Sequence, residues 1–220
     1  NPALWVLQYI YGFKFKTNEK ALRGTLIERG VNIILSKNDD PIKTADYMYN
    51  DFVNECERLK IDKKDYEQQE QFIKKAIVAL PKHLSQYGKL IGYQQQIGYD
   101  YKGIHLKGYT DFEFDKPIRI DLKTTNKINV TIGHKISQSI YSTATNMENK
   151  LFYVKVLKTK PIEVMEYKLT DEDNIKIPLL IHSAIENINY LCGVASSKDD
   201  FKRLITPNPD DFYWNKAEDK

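Results

Sequence analysis

The stretch from Gly108 to Thr125, GYTDFEFDKPIRIDLKTT, constrains this chain more than any other. Phe112, Phe114, Ile118, Ile120 and Leu122 alternate with Asp111, Glu113, Arg119, Asp121 and Lys123. A period of two marks half-buried strands, because successive side chains leave a strand on opposite faces. Asp115-Lys116-Pro117 interrupts the pattern with turn-favouring residues. Two antiparallel strands joined by a tight turn are therefore expected. A turn centred on Lys116 pairs Glu113 with Arg119, an ordinary cross-strand match. It also sets Asp111 opposite Asp121 and Tyr109 opposite Lys123. Like charges directly opposite each other destabilise a sheet. Something must compensate the aspartates, and a divalent cation is the simplest candidate.

Asp121 and Lys123 share one face of their strand, and the pairing puts Asp111 on that face too. Carboxylates beside an ammonium suit a hard cation such as magnesium or manganese, with oxygen ligands at about 2.1 Å. A cation of that kind lowers the pKa of a bound water and clamps a phosphate oxygen. Lys123 can hold the attacking water or neutralise charge developing on the phosphate. A third carboxylate is available upstream. In ALRGTLIERG, the residues Ala21, Gly24, Thr25 and Glu28 fall on one helical face. Three of them are small, so the helix can approach a sheet there and aim Glu28 at it. The plain alternatives are a surface glutamate and, for Asp111, Asp121 and Lys123, the wet face of a hairpin.

With 220 residues, one domain is the default. A helical part spans about 17–90, a core about 91–206 and a tail 207–220. Helices are expected from about Asn18 to Leu35, capped by Thr17 or Asn18, and from a Thr44 cap to about Lys60. A third runs from about Asp65 to Tyr87, kinked or split at Pro81. Gly92 to Asp100 forms a meander with the Asp111 and Asp121 strands. A helix from about Gly133 to Met147 follows. Two strands come next, Leu151 to Leu157 and Ile162 to Leu169, turned at Thr159-Lys160-Pro161. A last helix is capped by Thr170 and broken at Pro178, and Pro207 to Trp214 is irregular. This order gives an α/β or α+β fold, a mixed sheet flanked by helices.

The net charge of +3 neither demands nor excludes nucleic acid. Cys56 and Cys192 are the two cysteines and show no CxxC spacing, which fits a reducing compartment and excludes a four-cysteine centre supplied by this chain. The four histidines, at 83, 105, 134 and 182, show no paired ligand spacing. No run of about 18 apolar residues exists, so no membrane association is expected. No signal peptide is evident, and the cytoplasm, or a host's cytoplasm for a phage protein, is the expected location. The chain opens at Asn1-Pro2 rather than Met, which leaves room for an upstream piece.

These residues together resemble the PD-(D/E)xK nuclease superfamily, and within it the RecB-like and phage-type exonuclease branch. The matching segments are RGTLIERG around Glu28, GYTDFEF around Asp111, IDLKTT around Asp121 and Lys123, and HKISQSIYS with Gln138 and Tyr141. NPALW at the start and PNPDDFYW at the end are similar to the ends of that branch. The resemblance implies a restriction-endonuclease-like core with an N-terminal helical elaboration. It implies Glu28, Asp111, Asp121 and the Leu122 carbonyl as ligands of magnesium or manganese, and Lys123 as the catalytic lysine. Gln138 and Tyr141 would position the nucleic-acid backbone or brace the site. Thr124, Arg23 and His134 are further candidates for contact with substrate. The implied activity is hydrolysis of single- or double-stranded DNA, exonucleolytic, in repair, recombination or phage DNA processing. A homo-oligomer or a recombination partner protein is compatible with it. The alternatives are a nuclease fold that binds without turnover and a structure-specific endonuclease. Two departures stand out: the spacing is QxxY where the family has QxxxY, and the cysteines of the iron–sulfur subgroup are absent, so no such cluster is expected.

Overall fold

The computed structural model describes residues 2–14, 17–145, 147–157 and 160–205. Packing divides the chain into two compact units, one of Thr17–Asn174 and one formed from the two chain ends. In the latter, α1 (Pro2–Trp5) runs directly into a π-helical turn, Val6–Ile10. Val6 is buried there with Leu191 and Phe201.

The larger unit begins with helices. Asn18 caps α2 (Glu19–Lys37) by accepting the Ala21 N–H, as expected. Asp40, not Thr44, caps α3 (Pro41–Arg58): its carboxylate accepts the Lys43 N–H at 2.8 Å. Pro41 fills the first helical position, where a missing N–H costs nothing, and Thr44 lies buried one turn further in. Beyond α4 (Lys63–Tyr66) and a 3₁₀ turn at Glu67–Gln69 comes α5 (Glu70–Leu84). The expected break at Pro81 is therefore displaced. Pro81 sits in the last turn of α5, and the α-helix is interrupted by the 3₁₀ turn at Glu67–Gln69 instead.

Five strands follow in the order β1-β2-β3-β4-β5. They are β1 (Leu90–Tyr101), β2 (Ile104–Phe114), β3 (Ile118–Thr125), β4 (Glu148–Lys155) and β5 (Glu163–Tyr167). β3 and β4 are parallel and the other pairs antiparallel. A parallel pair needs a crossover, which α6 (Ile132–Ala144) supplies. The expected α+β class, a mixed sheet with an antiparallel meander, flanked by helices and preceded by a helical part, is the observed one. Its core lies between one sheet face and α2, α3 and α5. Phe112, Phe114, Ile120, Leu122, Phe152 and Val154 pack with Ile27, Met48, Phe52, Ile73, Ile77 and Leu80. Each such side chain contributes roughly 2 kcal/mol by leaving water. The helices cross tightly at Gly30, where an added Cβ would stand 2.8 Å from Ile77 Cδ1.

Thr170 caps α7 (Asp171–Val194) as expected, its hydroxyl accepting the Asp173 N–H. The expected break at Pro178 is absent. A proline removes one backbone hydrogen bond, and the 24 residues of α7 continue through it. α8 (Lys198–Leu204) closes the described chain. The Thr159 turn and the Pro207–Trp214 segment lie outside the described residues. Among the described residues, no helix is long and apolar enough to cross a membrane.

Candidate active site

The β2–β3 ladder holds three pairs, Phe112↔Ile120, Glu113↔Arg119 and Phe114↔Ile118. They centre the turn on Lys116, and Arg119 Nε donates to Glu113 Oε2 at 2.9 Å. The ladder then stops. Tyr109 does not face Lys123 as the extrapolated register required. Instead β3 continues beside β4, with Lys123 in register with Tyr153. Two backbone donors on the parting edges are taken by side chains. The Leu122 N–H donates to Asp111 Oδ2 at 2.7 Å, and the Tyr109 N–H donates to the Tyr141 hydroxyl. Asp111 and Asp121 occupy this fork, within hydrogen-bonding reach of each other.

Three elements bring the carboxylates together. Asp111 belongs to β2 and Asp121 to β3, and α2 brings Glu28. The helix passes beside β3 at Gly24, where an added Cβ would stand in ordinary contact with Thr124 Oγ1 at 3.6 Å. Gln94 of β1 completes the group. Its Nε2 donates to Glu28 Oε2 and to Asp111 Oδ1, each at 3.0 Å. Lys123 Nζ donates to Asp121 Oδ1 at 2.7 Å.

Three carboxylates against one ammonium leave an excess of negative charge in a poorly solvated place. Burial, and then Asp111 beside it, push the Glu28 carboxyl far above the usual carboxylate range. Burial and then Asp121 push Asp111 up to about 7. Burial opposes the charge on Lys123, but Asp121, Asp111 and Glu28 more than offset it and hold the ammonium form. The donors facing the fork are hard oxygens, and their repulsion is what a small divalent cation relieves. By that chemistry the residues fit such an ion. Among the described residues, no three His, Cys, Asp or Glu side chains already close around one point; the Gln94 amide stands between Glu28 and Asp111.

The remaining candidates fall into three places. Gln138 and Tyr141 both stand on α6, and of the two Tyr141 reaches the fork. Gln138 is buried and donates to the Asn149 carbonyl at the start of β4, and Asn149 Nδ2 donates to the Tyr141 carbonyl at 3.0 Å. The Tyr141 ring lies so close to Gly108 that an added Cβ would sit 2.4 Å from it. His134, on the first turn of α6, has its Nδ1 2.5 Å from the Tyr153 hydroxyl. Burial and the Lys123 charge lower the His134 pKa, and burial pushes Tyr153 up to about 12. Both groups are therefore uncharged near neutral pH, and a phenol O–H donating to Nδ1 is the arrangement that would leave Nε2–H facing outward. Thr124 follows Lys123 under Gly24. Arg23 is elsewhere: it is 3% exposed, its guanidinium 3.8 Å over the Phe72 ring and its Nη1 bonded to Gln69. Both partners line a cavity of about 580 Å³ that also includes Glu67, Asn126 and Leu157. None of Glu28, Asp111, Asp121 or Lys123 lines that cavity. Gln94 and Tyr153 escaped the sequence reading. The β3–β4 register would have found Tyr153; no sequence signal singles out Gln94.

No protein-family model and no curated protein matches the chain. Among solved structures, the fold is similar to that of a candidate exonuclease from Eubacterium rectale. The TM-score is 0.54 at 12% identity, covering 83% of this chain and 71% of that one. The likeness is one of fold. The structure of SSO0001 overlaps 90% of this chain and 95% of its own at 16% identity, but its TM-score of 0.34 carries no argument.

Proposed function

We propose that this chain is a metal-dependent nuclease of the PD-(D/E)xK type that hydrolyses DNA phosphodiester bonds, acting from ends. One observation carries the reading: Glu28, Asp111 and Asp121 converge from three elements on a fork that also presents Lys123. The Eubacterium rectale fold supports it. Glu28, Asp111, Asp121 and the Leu122 carbonyl would hold magnesium or manganese, which when bound supplies a more acidic water and a counter-charge for phosphate. Lys123 keeps its ammonium form beside Asp121, and so stabilises negative charge developing on the phosphate. His134 offers Nε2–H to a phosphate oxygen, with Tyr153 fixing the ring. Thr124 can donate a further hydrogen bond to the backbone. Tyr141 braces the fork from α6, and Gln138 ties α6 to the start of β4. The exposed ring of Tyr109 can stack on a base next to the cut.

The test uses end-labelled single- and double-stranded DNA with and without magnesium. Mononucleotides released progressively from one end are expected, and none without the cation. Asp121→Ala should retain the fold and lose cleavage. Full magnesium-dependent activity in purified Asp121→Ala protein would sink the reading.

A further inference from the structure

Gln94 carries no charge and belongs to none of the matching segments, yet it touches two of the three carboxylates at once. Its amide nitrogen reaches Glu28 Oε2 and Asp111 Oδ1 at 3.0 Å each. Those carboxylates sit on different elements, so this one amide ties α2 to the fork. Its neighbours Tyr93 and Gln95 pair with Phe112 and Thr110, which places Gln94 across from Asp111. Its backbone has a φ of 51°, in the left-handed region that side chains disfavour. The antiparallel register puts its side chain on the Asp111 face, where its amide meets both carboxylates.

A primary amide carries two donors at one end and an acceptor at the other, exchanged by a half-turn of the last side-chain bond. Between two carboxylate oxygens only the nitrogen end is tolerated. A cation drawn in beside the same oxygens reverses that demand, because it attracts an oxygen and repels an N–H. A hard cation accepts amide carbonyls as readily as it accepts carboxylates.

Resting on the metal-dependent reading above, we infer that Gln94 belongs to the cation site. Through its nitrogen it holds Glu28 and Asp111 together without the ion, and it turns its oxygen toward the ion when one binds. This fills the gap that keeps the carboxylates from closing around one point. A purely structural bridge would behave oppositely: removing it would leave cation binding unchanged or tighten it.

The test compares the full chain with its Gln94→Leu and Gln94→Glu variants. Free manganese is followed by electron paramagnetic resonance during titration, and the thermal midpoint is measured in EDTA. Gln94→Leu is expected to weaken manganese binding at least tenfold and to lower the EDTA midpoint. Gln94→Glu offers oxygen alone. It is expected to bind manganese at least as tightly as the wild type while melting earlier in EDTA, because a fourth carboxylate joins the cluster. A dissociation constant for Gln94→Leu within twofold of the wild type overturns the assignment and leaves the metal site standing. Should Gln94→Leu not fold, weaker binding by Gln94→Glu than by the wild type overturns it equally. A wild-type chain that binds no manganese overturns the assignment together with the reading beneath it.

Discussion

Replacing Asp111 with asparagine should make the cation-free protein more stable while abolishing its activity. Burial and the neighbouring Asp121 raise the Asp111 carboxyl from 3.8 to about 7. At about 1.4 kcal/mol for each tenfold change in proton affinity, ionising it in the native state costs roughly 4 kcal/mol more than in the unfolded chain. A raised carboxyl favours the fold below its ordinary pKa and loses that contribution as pH climbs through the folded value. At pH 8 the wild type therefore bears the whole cost, and Asp111→Asn bears none. The amide gives some of this back. Its oxygen keeps the Leu122 N–H as a neutral bond, its nitrogen now faces Gln94, and Gln94 must turn over; the loss is roughly 1 kcal/mol. A net gain of roughly 2–3 kcal/mol is expected at pH 8, shrinking to under about 1 kcal/mol at pH 5, where the native carboxyl is already protonated. Urea unfolding in EDTA at the two pH values, followed by far-ultraviolet circular dichroism, measures it. A variant that unfolds at lower urea than the wild type at pH 8, or an advantage that grows toward pH 5, refutes the reasoning.

Lys123→Met keeps the aliphatic stem but leaves Asp121 without its ammonium. Loss of roughly 3 kcal/mol at pH 8 and a fall in cleavage of about 100-fold or more are expected from urea titration and single-turnover assays. Gly108→Ala drives a methyl into the Tyr141 ring, and a lower thermal midpoint corresponding to roughly 1–3 kcal/mol should follow; an unchanged midpoint would mean that the Tyr141 cap on β2 is dispensable. Tyr153→Phe removes only the hydroxyl beside His134. It should cost about 1 kcal/mol and convert the His134 ring nitrogens, read by ¹⁵N NMR, from one Nε2–H form to a mixture; a wild-type ring already protonated at Nδ1 would contradict the donor assignment.

The fork was readable because two rules of different origin met in it. Alternation placed Asp111, Asp121 and Lys123 on one face, and the turn residues centred the register on Lys116. The three small residues before Glu28 foretold the close approach of α2. What local patterns could not supply was where pairing stops. Register extrapolates indefinitely, and the end at Phe112↔Ile120 depends on Tyr141 and β4, which arrive later in the chain. Gln94 was hidden for a related reason. Gln94, Gln95 and Gln96 are identical, and nothing in their order says which one comes to stand across from Asp111 at positive φ. Pro81 and Pro178 were overweighted as breakers, since the tertiary structure keeps both helices intact around them. Thr44 lost the cap to Asp40 because Asp40 precedes Pro41, and a proline at the first helical position fixes the start.

The three-pair ladder has a consequence for how this chain can vary. Asp115, Lys116 and Pro117 act as a ruler: their length decides which residues of β3 look into the fork. One residue more or fewer turns the whole strand over. Leu122 would then face the carboxylates, while Asp121 and Lys123 would enter the apolar layer beneath α5. The bend between Tyr101 and Ile104, at the far end of β1 and β2, measures nothing for β3. That bend sets β1 against β2 instead, and so keeps Gln94 across from Asp111; at Lys116, descendants of this chain must keep the count whatever letters they write there.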